Sequence, residues 1–206
     1  GKTGESFGEG RARIPSLVYY AGMEKPGSQQ KAPPPVPFDG AAGLDDAIVV
    51  ALGCNDCGVW RDCREALEAA LARFRAEGID VVARSSWWRS AAWPDPTDPP
   101  FLNGVVIVRT EHDPRELMAA LGRIEAAFGR RRSAANAPRT LDLDLLLHGQ
   151  ATLASPGLII PHPRLHERAF VLLPLAELDR ELFIPGHGAV SELLAAVSSQ
   201  VIERML

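Results

Sequence analysis

Two aspartates separated by a single residue are the strongest chemical feature of the sequence. Residues 138–145 read Pro-Arg-Thr-Leu-Asp-Leu-Asp-Leu. Side chains alternate between the faces of a strand, so Asp142 and Asp144 share one face and the leucines share the other. The two carboxylates then lie about 7 Å apart along the backbone. Such a pair suits Mg²⁺, which prefers carboxylate and phosphate oxygens. The alternative is the solvated polar face of an edge strand.

A group of arginines precedes this strand. Arg130, Arg131, Arg132 and Arg139 surround a stretch of small residues. Guanidinium groups match phosphate oxygens with paired hydrogen bonds. A cationic loop beside a carboxylate pair is typical of phosphoryl transfer, in which positioning and charge neutralisation supply most of the rate. A basic turn after a helix is the alternative, because cations favour helix C-termini, but it explains one or two arginines better than four.

Two further clusters offer binding groups. Residues 161–170 contain His162, Arg168 and an aromatic ring, and residues 101–103 read Phe-Leu-Asn at the start of a predicted strand. An Asn amide both donates and accepts hydrogen bonds, which suits the edge of a heterocycle. An aromatic ring two residues away lies on the same face and can stack on that heterocycle. Core packing remains the alternative for Phe101.

The three cysteines give a weaker signal. Cys54 and Cys57 form a Cys-x-x-Cys pair, and Cys63 follows. Structural zinc usually takes four ligands, often from two such pairs, and no second pair exists here. A zinc site and a redox couple are therefore both disfavoured. An odd number of cysteines in a chain with an adequate core also argues against a disulfide framework.

The predicted secondary-structure elements follow the order β-α-β-β-α-β. Short apolar or alternating runs predict strands, and apolar residues three and four apart predict helices. The expected strands are Ala47–Leu52, residues 79–88, Phe101–Arg109 and Leu141–Leu147, and the expected helices are Trp60–Ala76 and Pro114–Phe128, followed by Arg168–Leu178 and Ser191–Val197. The order predicts an α+β, ferredoxin-like fold with both helices of the repeat on one face of an antiparallel sheet.

Local detail supports two of these elements. Asp113 is a suitable N-cap for the second helix, and Glu116 can complete a capping box. In the strand over residues 79–88, Ile79, Val81 and Ala83 are expected to share one face.

Composition separates a leader from a compact domain. Residues 1–45 hold 8 Gly and 6 Pro, 14 residues of 45, a share typical of low complexity. We therefore expect residues 1–45 to be a disordered Pro/Gly-rich leader and residues 46–206 to form the functional domain.

Charge and hydropathy exclude several classes. The net charge is −4 and the pI is about 5.8, which argues against a general nucleic-acid binder. No apolar run approaches the ~18 residues of a membrane span. We expect the protein to be cytoplasmic and monomeric.

The motifs together resemble the 6-hydroxymethyl-7,8-dihydropterin pyrophosphokinase family of the folate pathway. The resemblance runs from about Ile48 to Pro185. The matching segments occur in the family order and are Ala51–Asn55, Phe101–Asn103, Arg123–Glu125 with Gly129-Arg130, Pro138–Asp144, Pro161-His162 and Arg168–Phe170. The run Pro-Arg-Thr-Leu-Asp-Leu-Asp is the most specific of them.

The resemblance implies transfer of the terminal diphosphate of ATP to the hydroxymethyl group of the pterin, with release of AMP. It also implies roles for particular residues. Asp142 and Asp144 would hold two Mg²⁺ ions, and Arg130 and Arg139 would stabilise charge during transfer. The residues implied in ATP binding are Arg132, His162 and Arg168. The residues implied in pterin binding are Asn103, Phe101, Phe170, Ser90 and Trp93.

The chain departs from the family pattern at four positions. Cys54 stands where Ser is usual, Ala135 replaces a basic residue, Asn136 stands near a position that is Trp in some members, and Gly122 replaces a polar ATP contact. These changes concern ATP affinity and loop closure. The leader has no counterpart in the family core, so fusion to a neighbouring folate enzyme stays open.

One alternative from another class is a ferredoxin-like module that binds single-stranded RNA on its sheet. The acidic net charge and the carboxylate pair both argue against this alternative.

Overall fold

The computed structural model describes residues 46–92, 95–129 and 140–205. The strands are β1 (Ile48–Cys54), β2 (Asp80–Arg84), β3 (Trp88–Ser90), β4 (Phe101–Arg109), β5 (Asp142–His148), β6 (Leu153–Ser155), β7 (Leu158–Ile160), β8 (Phe183–Ile184), β9 (Gly188–Ala189) and β10 (Ile202–Arg204). The α-helices are α1 (Cys63–Phe74), α2 (Pro114–Ala127), α3 (Ala169–Leu178) and α4 (Val190–Leu193). Short 3₁₀ turns cover Arg75–Glu77, Leu165–Glu167 and Leu194–Val197. The leader expected over residues 1–45 lies outside the described residues.

An antiparallel sheet in the order β10-β3-β4-β1-β5 forms the centre of the fold, and β2 also pairs with β4. β1 lies between β4 and β5 and is antiparallel to both. The strand pairing and the order β1-α1-β2-β4-α2-β5 confirm the α+β, ferredoxin-like prediction. The strand that carries the two aspartates, β5, is an edge strand of this sheet.

Each face of the sheet packs against its own helices. On one face, α1 and α2 bury residues such as Leu67 and Leu121 against Val50 and Leu143. On the opposite face, α3 buries Leu172 and its neighbours in a second cluster. The helices of the β-α-β-β-α-β repeat therefore share one face, as predicted, and the sheet's other face carries α3.

The start of α2 follows its local sequence. Asp113 accepts hydrogen bonds from the amides of Arg115 and Glu116, and the Glu116 carboxylate accepts one from the Asp113 amide. This capping box confirms the predicted N-terminus, because it satisfies amides that the first turn leaves without partners. Pro114 occupies the first turn, where its missing N–H costs nothing.

The prediction for residues 79–88 was wrong in two respects. The segment forms two strands, β2 and β3, not one, and a register shift occurs between Val81 and Ala83. Ile79 and Val81 consequently pack on the α1–α2 face, whereas Ala83 packs on the α3 face. An irregularity of this kind reverses the alternation of side chains that the prediction assumed.

The two cysteines that form a disulfide are not those of the Cys-x-x-Cys pair. A disulfide joins Cys54 at the end of β1 to Cys63 at the start of α1, and Cys57 is a free thiol. The bond closes the loop between these two elements.

Within the part of the chain that the structure describes, no helix combines the length and apolar character that crossing a membrane requires.

Candidate active site

A row of three residues crosses the middle of the sheet and defines the site. Gly53 on β1 is paired in register with Asn103 on β4 and with Asp142 on β5. Residues paired in register point to the same face. The site therefore lies on the α3 face, since Leu143 between the aspartates packs on the opposite face.

Gly53 brings an amide, a ring and a carboxylate close together. A Cβ atom placed at Gly53 would lie 3.4 Å from Asn103 Oδ1, 3.9 Å from Phe101 Cδ1 and 3.9 Å from Asp142 Cβ. The absence of a side chain leaves an open floor among these three groups. Gly53 falls within the matching segment Ala51–Asn55, but only the strand register reveals its neighbours.

Asn103 is held by a polar contact inside the sheet. It is 5% exposed, and its Nδ2 donates a 3.0 Å hydrogen bond to Ser90 Oγ. Ser90 is itself paired in register with Phe101. Because the Ser90 contact uses one amide donor and fixes the side chain, the orientation of the amide is set in advance. Three of the predicted pterin residues, Phe101, Asn103 and Ser90, thus lie side by side.

The carboxylate pair has the predicted geometry. Asp142 and Asp144 are half-buried on one face of β5, and Leu143 and Leu145 are buried on the other. Opposite the carboxylates, β1 presents only Gly53 and Ala51. Small neighbours leave room above both carboxylates for additional ligands.

This donor set fits Mg²⁺. Hard carboxylate oxygens are the ligands that the ion prefers, and Mg²⁺ commonly binds one or two carboxylates while water and substrate phosphates complete its shell. Among residues 46–92, 95–129 and 140–205, no group of three or more His, Cys, Asp or Glu side chains is arranged to hold a metal. A site built on Asp142 and Asp144 would therefore be an open one that leaves positions for phosphate.

Arg168 brings positive charge to the carboxylates from the segment before α3. Its Nη1 lies 3.9 Å from Asp144 Oδ2, and its guanidinium lies 5.4 Å from the centre of the Phe170 ring. Burial lowers the pKa of Arg168, and the charge of Asp144 opposes that effect. Arginine stays charged in proteins, so the site combines a fixed cation with the carboxylate pair.

His162 lies beside the same carboxylate. Its backbone amide donates a 2.9 Å hydrogen bond to the Leu146 carbonyl, which attaches this segment to β5. Its Nδ1 accepts a 3.2 Å bond from the Arg164 amide. Burial lowers the pKa of His162, with Asp144 acting in the opposite direction. The ring is thus favoured in its neutral form, which carries its proton on Nε2.

A pocket of about 270 Å³ opens next to Asp144 and His162. Its remaining wall is mostly apolar and is formed by Met118, Leu145, Gly157, Leu158, Ile159 and Pro163. A concave apolar surface with a few polar groups at one end is the usual form of a small-molecule site.

Several predicted site residues cannot be placed. Arg130, Arg132, Arg139 and Trp93 lie outside the described residues. Among the described ones, Phe101, Asn103 and Ser90 lie together at one end of the row and Asp142 and Asp144 at the other; His162 and Arg168 lie beside Asp144, and Phe170 lies against Arg168.

A carboxylate pair, an adjacent arginine and a pocket on this fold suit an enzyme that handles phosphate. A family model described as 7,8-dihydro-6-hydroxymethylpterin-pyrophosphokinase (HPPK) matches residues 49–180. The chain belongs to this family, and it is a pyrophosphokinase, a diphosphotransferase enzyme.

Known proteins support this assignment. A 2-amino-4-hydroxy-6-hydroxymethyldihydropteridine pyrophosphokinase of Pseudomonas aeruginosa is 41% identical over 159 residues, which cover 77% of this chain and 96% of that protein. A mitochondrial folate synthesis bifunctional protein of Pisum sativum is 37% identical, over 65% of this chain and 25% of its own length. The match thus covers one bacterial relative almost completely and only a part of the plant protein.

Solved structures resemble the chain in fold. The Plasmodium falciparum HPPK-DHPS triple mutant with SDX-DHP aligns with a TM-score of 0.55 at 14% identity, over 72% of this chain and 44% of that one. This chain therefore spans less than half of that longer protein, and the likeness concerns the fold alone. Membership in an enzyme family favours the enzyme over the RNA-binding alternative.

Proposed function

We propose that the chain transfers diphosphate from ATP to 6-hydroxymethyl-7,8-dihydropterin, releases AMP, and depends on Mg²⁺ for this step in folate biosynthesis. One observation carries the proposal. The row Asn103–Gly53–Asp142 places a fixed amide against a carboxylate pair across one open glycine floor. A flat heterocycle bound at the amide would therefore present a substituent to the carboxylate end.

The pterin end uses the Asn103 amide for recognition. An amide that donates and accepts matches the paired donors and acceptors on the edge of a pyrimidine ring. Ser90 fixes that amide, as the 3.0 Å hydrogen bond indicates. The rings of Phe101 and Phe170 are proposed to stack on the two sides of the pterin, since aromatic faces bind flat heterocycles in offset stacks. Trp93 is proposed to complete this subsite.

The phosphate end is proposed to hold two Mg²⁺ ions on Asp142 and Asp144. Bound there, the metal would supply charge neutralisation and orientation of phosphate oxygens. Arg168 lies close enough to Asp144 to bind an oxygen of the phosphate group held there. His162 can donate a hydrogen bond to phosphate from Nε2. His162 and Asp144 line the apolar pocket, which is proposed to take the nucleotide base, and Arg168 lies 3.9 Å from Asp144.

The arginines of the loop before β5 complete the proposal. Arg132 is proposed to bind ATP, and Arg130 and Arg139 to stabilise charge as the bond to AMP breaks. Their residue type matches phosphate chemistry, and their roles are implied by the family resemblance.

The domain assignment is also proposed. Residues 46–206 would form the catalytic unit, with residues 1–45 as a leader, in a cytoplasmic monomer that binds no nucleic acid. Names such as the folate synthesis bifunctional protein of Pisum sativum show that fusion occurs among relatives. The proposal therefore applies both to a separate enzyme and to a domain fused to another folate enzyme.

AMP formation tests the reaction directly. ATP and Mg²⁺ are incubated with the protein, with and without 6-hydroxymethyl-7,8-dihydropterin, and AMP is quantified by chromatography. Pterin-dependent AMP, together with one equivalent of the pterin diphosphate and loss of both on EDTA addition, is the expected result. ADP as the nucleotide product, or AMP that forms equally without pterin, would contradict the proposal.

A further inference from the structure

The side-chain amide of Gln200 bridges the two peptide groups that flank Arg168. Its Nε2 donates a 2.7 Å hydrogen bond to the Glu167 carbonyl, 33 residues earlier in the sequence. Its Oε1 accepts a 3.0 Å bond from the amide of Ala169. A single side chain near the end of the chain therefore binds the backbone on both sides of the arginine.

The other backbone groups around Arg168 have partners within their own segment. The Arg168 amide donates to the Leu165 carbonyl over 3.4 Å, and the Arg168 carbonyl accepts from Val171 and Leu172 over 3.1 and 3.0 Å. The peptide before Arg168 thus has one local bond, the peptide after it has two, and Gln200 adds one bond to each. Gln200 thus binds the one polar group of each peptide that these local bonds do not use.

Gln200 also supplies what the start of α3 lacks. Arg168 is the N-cap of this helix, and its own side chain makes no capping hydrogen bond. First-turn amides need an acceptor from outside the helix. The side-chain oxygen Oε1 of Gln200 provides it for Ala169, a role that the Arg168 guanidinium cannot take because it has no acceptor atom.

The position of Gln200 is itself anchored. The backbone amide of Gln200 donates a 3.0 Å hydrogen bond to the Val197 carbonyl. Val197 is 2% exposed and belongs to the same buried cluster as the α3 side chains. The Gln200 side chain thus projects from a turn that is fixed against the same helix it caps.

We infer that Gln200 is a positioning residue for Arg168 and so for the binding of ATP phosphates. The inference rests on the proposed function, in which Arg168 binds ATP. The Arg168 guanidinium lies 3.9 Å from Asp144 and over the Phe170 ring. A small rotation of the peptide planes at Arg168 moves the end of its long side chain by a larger distance. Loss of the Gln200 hydrogen bonds therefore displaces the guanidinium from Asp144 and from the Phe170 ring.

The test compares Gln200→Met, which keeps the side chain's length without its hydrogen bonds, with wild type. Binding of a non-hydrolysable ATP analogue with Mg²⁺ is measured by calorimetry, and melting temperature is recorded alongside. We expect the dissociation constant to rise about three- to tenfold, the effect of losing one or two neutral hydrogen bonds. Gln200→Asn keeps the amide on a side chain one methylene shorter, so we expect it to retain one of the two bonds and to show a smaller rise in the same direction.

Ser198→Ala is the matched control. Its hydroxyl donates a 2.8 Å bond to the Ala195 carbonyl in the same turn and touches neither side of Arg168. Analogue affinity in this variant is expected to equal that of wild type.

A double-mutant cycle separates positioning from general damage. If Gln200 acts through Arg168, the Gln200→Met change has no further effect on analogue affinity in an Arg168→Ala background. An equal loss in both backgrounds, or wild-type affinity in both Gln200 variants, would overturn the inference. Failure of the proposed function is a different result, because wild-type protein would then not bind the analogue at all.

Discussion

The backbone amide of Leu143 donates a 2.7 Å hydrogen bond to Oε1 of Glu125. Leu143 separates the two aspartates on β5, and Glu125 is a helix α2 residue that is only 8% exposed. β5 is an edge strand, where one row of backbone groups has no strand neighbour. The buried Glu125 carboxylate takes the place of that neighbour and connects the strand of the two aspartates to helix α2.

Replacing Glu125 by Ala is expected to lower the free energy of unfolding by about 1–3 kcal/mol, because a buried amide would lose its acceptor. Glu125→Gln retains a carbonyl oxygen at the same place and is expected to lose less. Urea unfolding followed by circular dichroism measures both. Glu111→Ala, at an exposed position before the same helix, is the control. An Ala variant as stable as the wild type would show that the bond contributes little.

Asp144→Asn is expected to reduce kcat at least about a thousandfold at saturating Mg²⁺, since the amide lacks the charge that binds the metal and neutralises phosphate. The fold should persist, because Asp144 is half-buried on the open face of β5. Steady-state AMP formation and far-ultraviolet circular dichroism check the two statements. Asp80→Asn, on an exposed position of β2, is the matched control. Wild-type turnover by Asp144→Asn would remove this carboxylate from the proposed mechanism.

Substitutions at Gly53 are expected to weaken pterin binding in proportion to side-chain size. A Cβ there would make ordinary contacts of 3.4–3.9 Å with Asn103, Phe101 and Asp142, so Gly53→Ala should fold normally. The methyl group nevertheless occupies the floor on which the heterocycle is proposed to lie. We expect a pterin dissociation constant raised about tenfold in Gly53→Ala, the effect of misfitting by one methyl group or more, and a larger rise in Gly53→Val.

Fluorescence titration with the pterin measures these constants, and a parallel ATP-analogue titration identifies the affected end of the site. Equal pterin affinity in wild type and Gly53→Val would contradict the proposed floor. A loss confined to ATP would place the heterocycle elsewhere.

The parts of the fold that depend on local pattern could be predicted from sequence. β4 spans Phe101–Arg109 as expected, and the Asp113 capping box begins α2 where the residues indicated. The aspartates of β5 share a face because alternation in a regular strand is a short-range property. Those site residues that belong to a short motif, such as Asp142 and Asn103, could also be predicted from the sequence.

The remaining features depend on contacts and short elements that a local sequence pattern does not reveal. The register that places Gly53 between Asn103 and Asp142 joins three strands. The Gln200 bridge connects residues 33 positions apart, and the pairing of Cys54 with Cys63 passes over the nearer Cys57. The short strands β6 to β10 were not predicted either, because runs of two or three residues carry too little periodicity to detect.

The N-cap of α1 provides a pH-dependent prediction. Asp62 accepts a 2.8 Å hydrogen bond from the Glu65 amide. That bond lowers the pKa of Asp62, partial burial opposes it, and Arg61 adds to the lowering. A carboxylate whose pKa is lower in the folded than in the unfolded state stabilises the fold fully above the unfolded value of about 3.9. The stabilisation is lost as the pH falls through the lowered, folded value.

Asp62→Ala is therefore expected to cost about 1 kcal/mol at pH 7, the usual effect of losing an N-cap, and the difference from wild type should shrink as the pH falls below about 4. Asp62→Asn keeps a side-chain oxygen without the charge, so its smaller difference should vary less with pH. Urea unfolding at a series of pH values from 7 to about 3, across the carboxylate range, measures all three proteins. A difference between Asp62→Ala and wild type that stays constant over this range would mean that the charge of Asp62 does not stabilise the helix, and that only its hydrogen bond does.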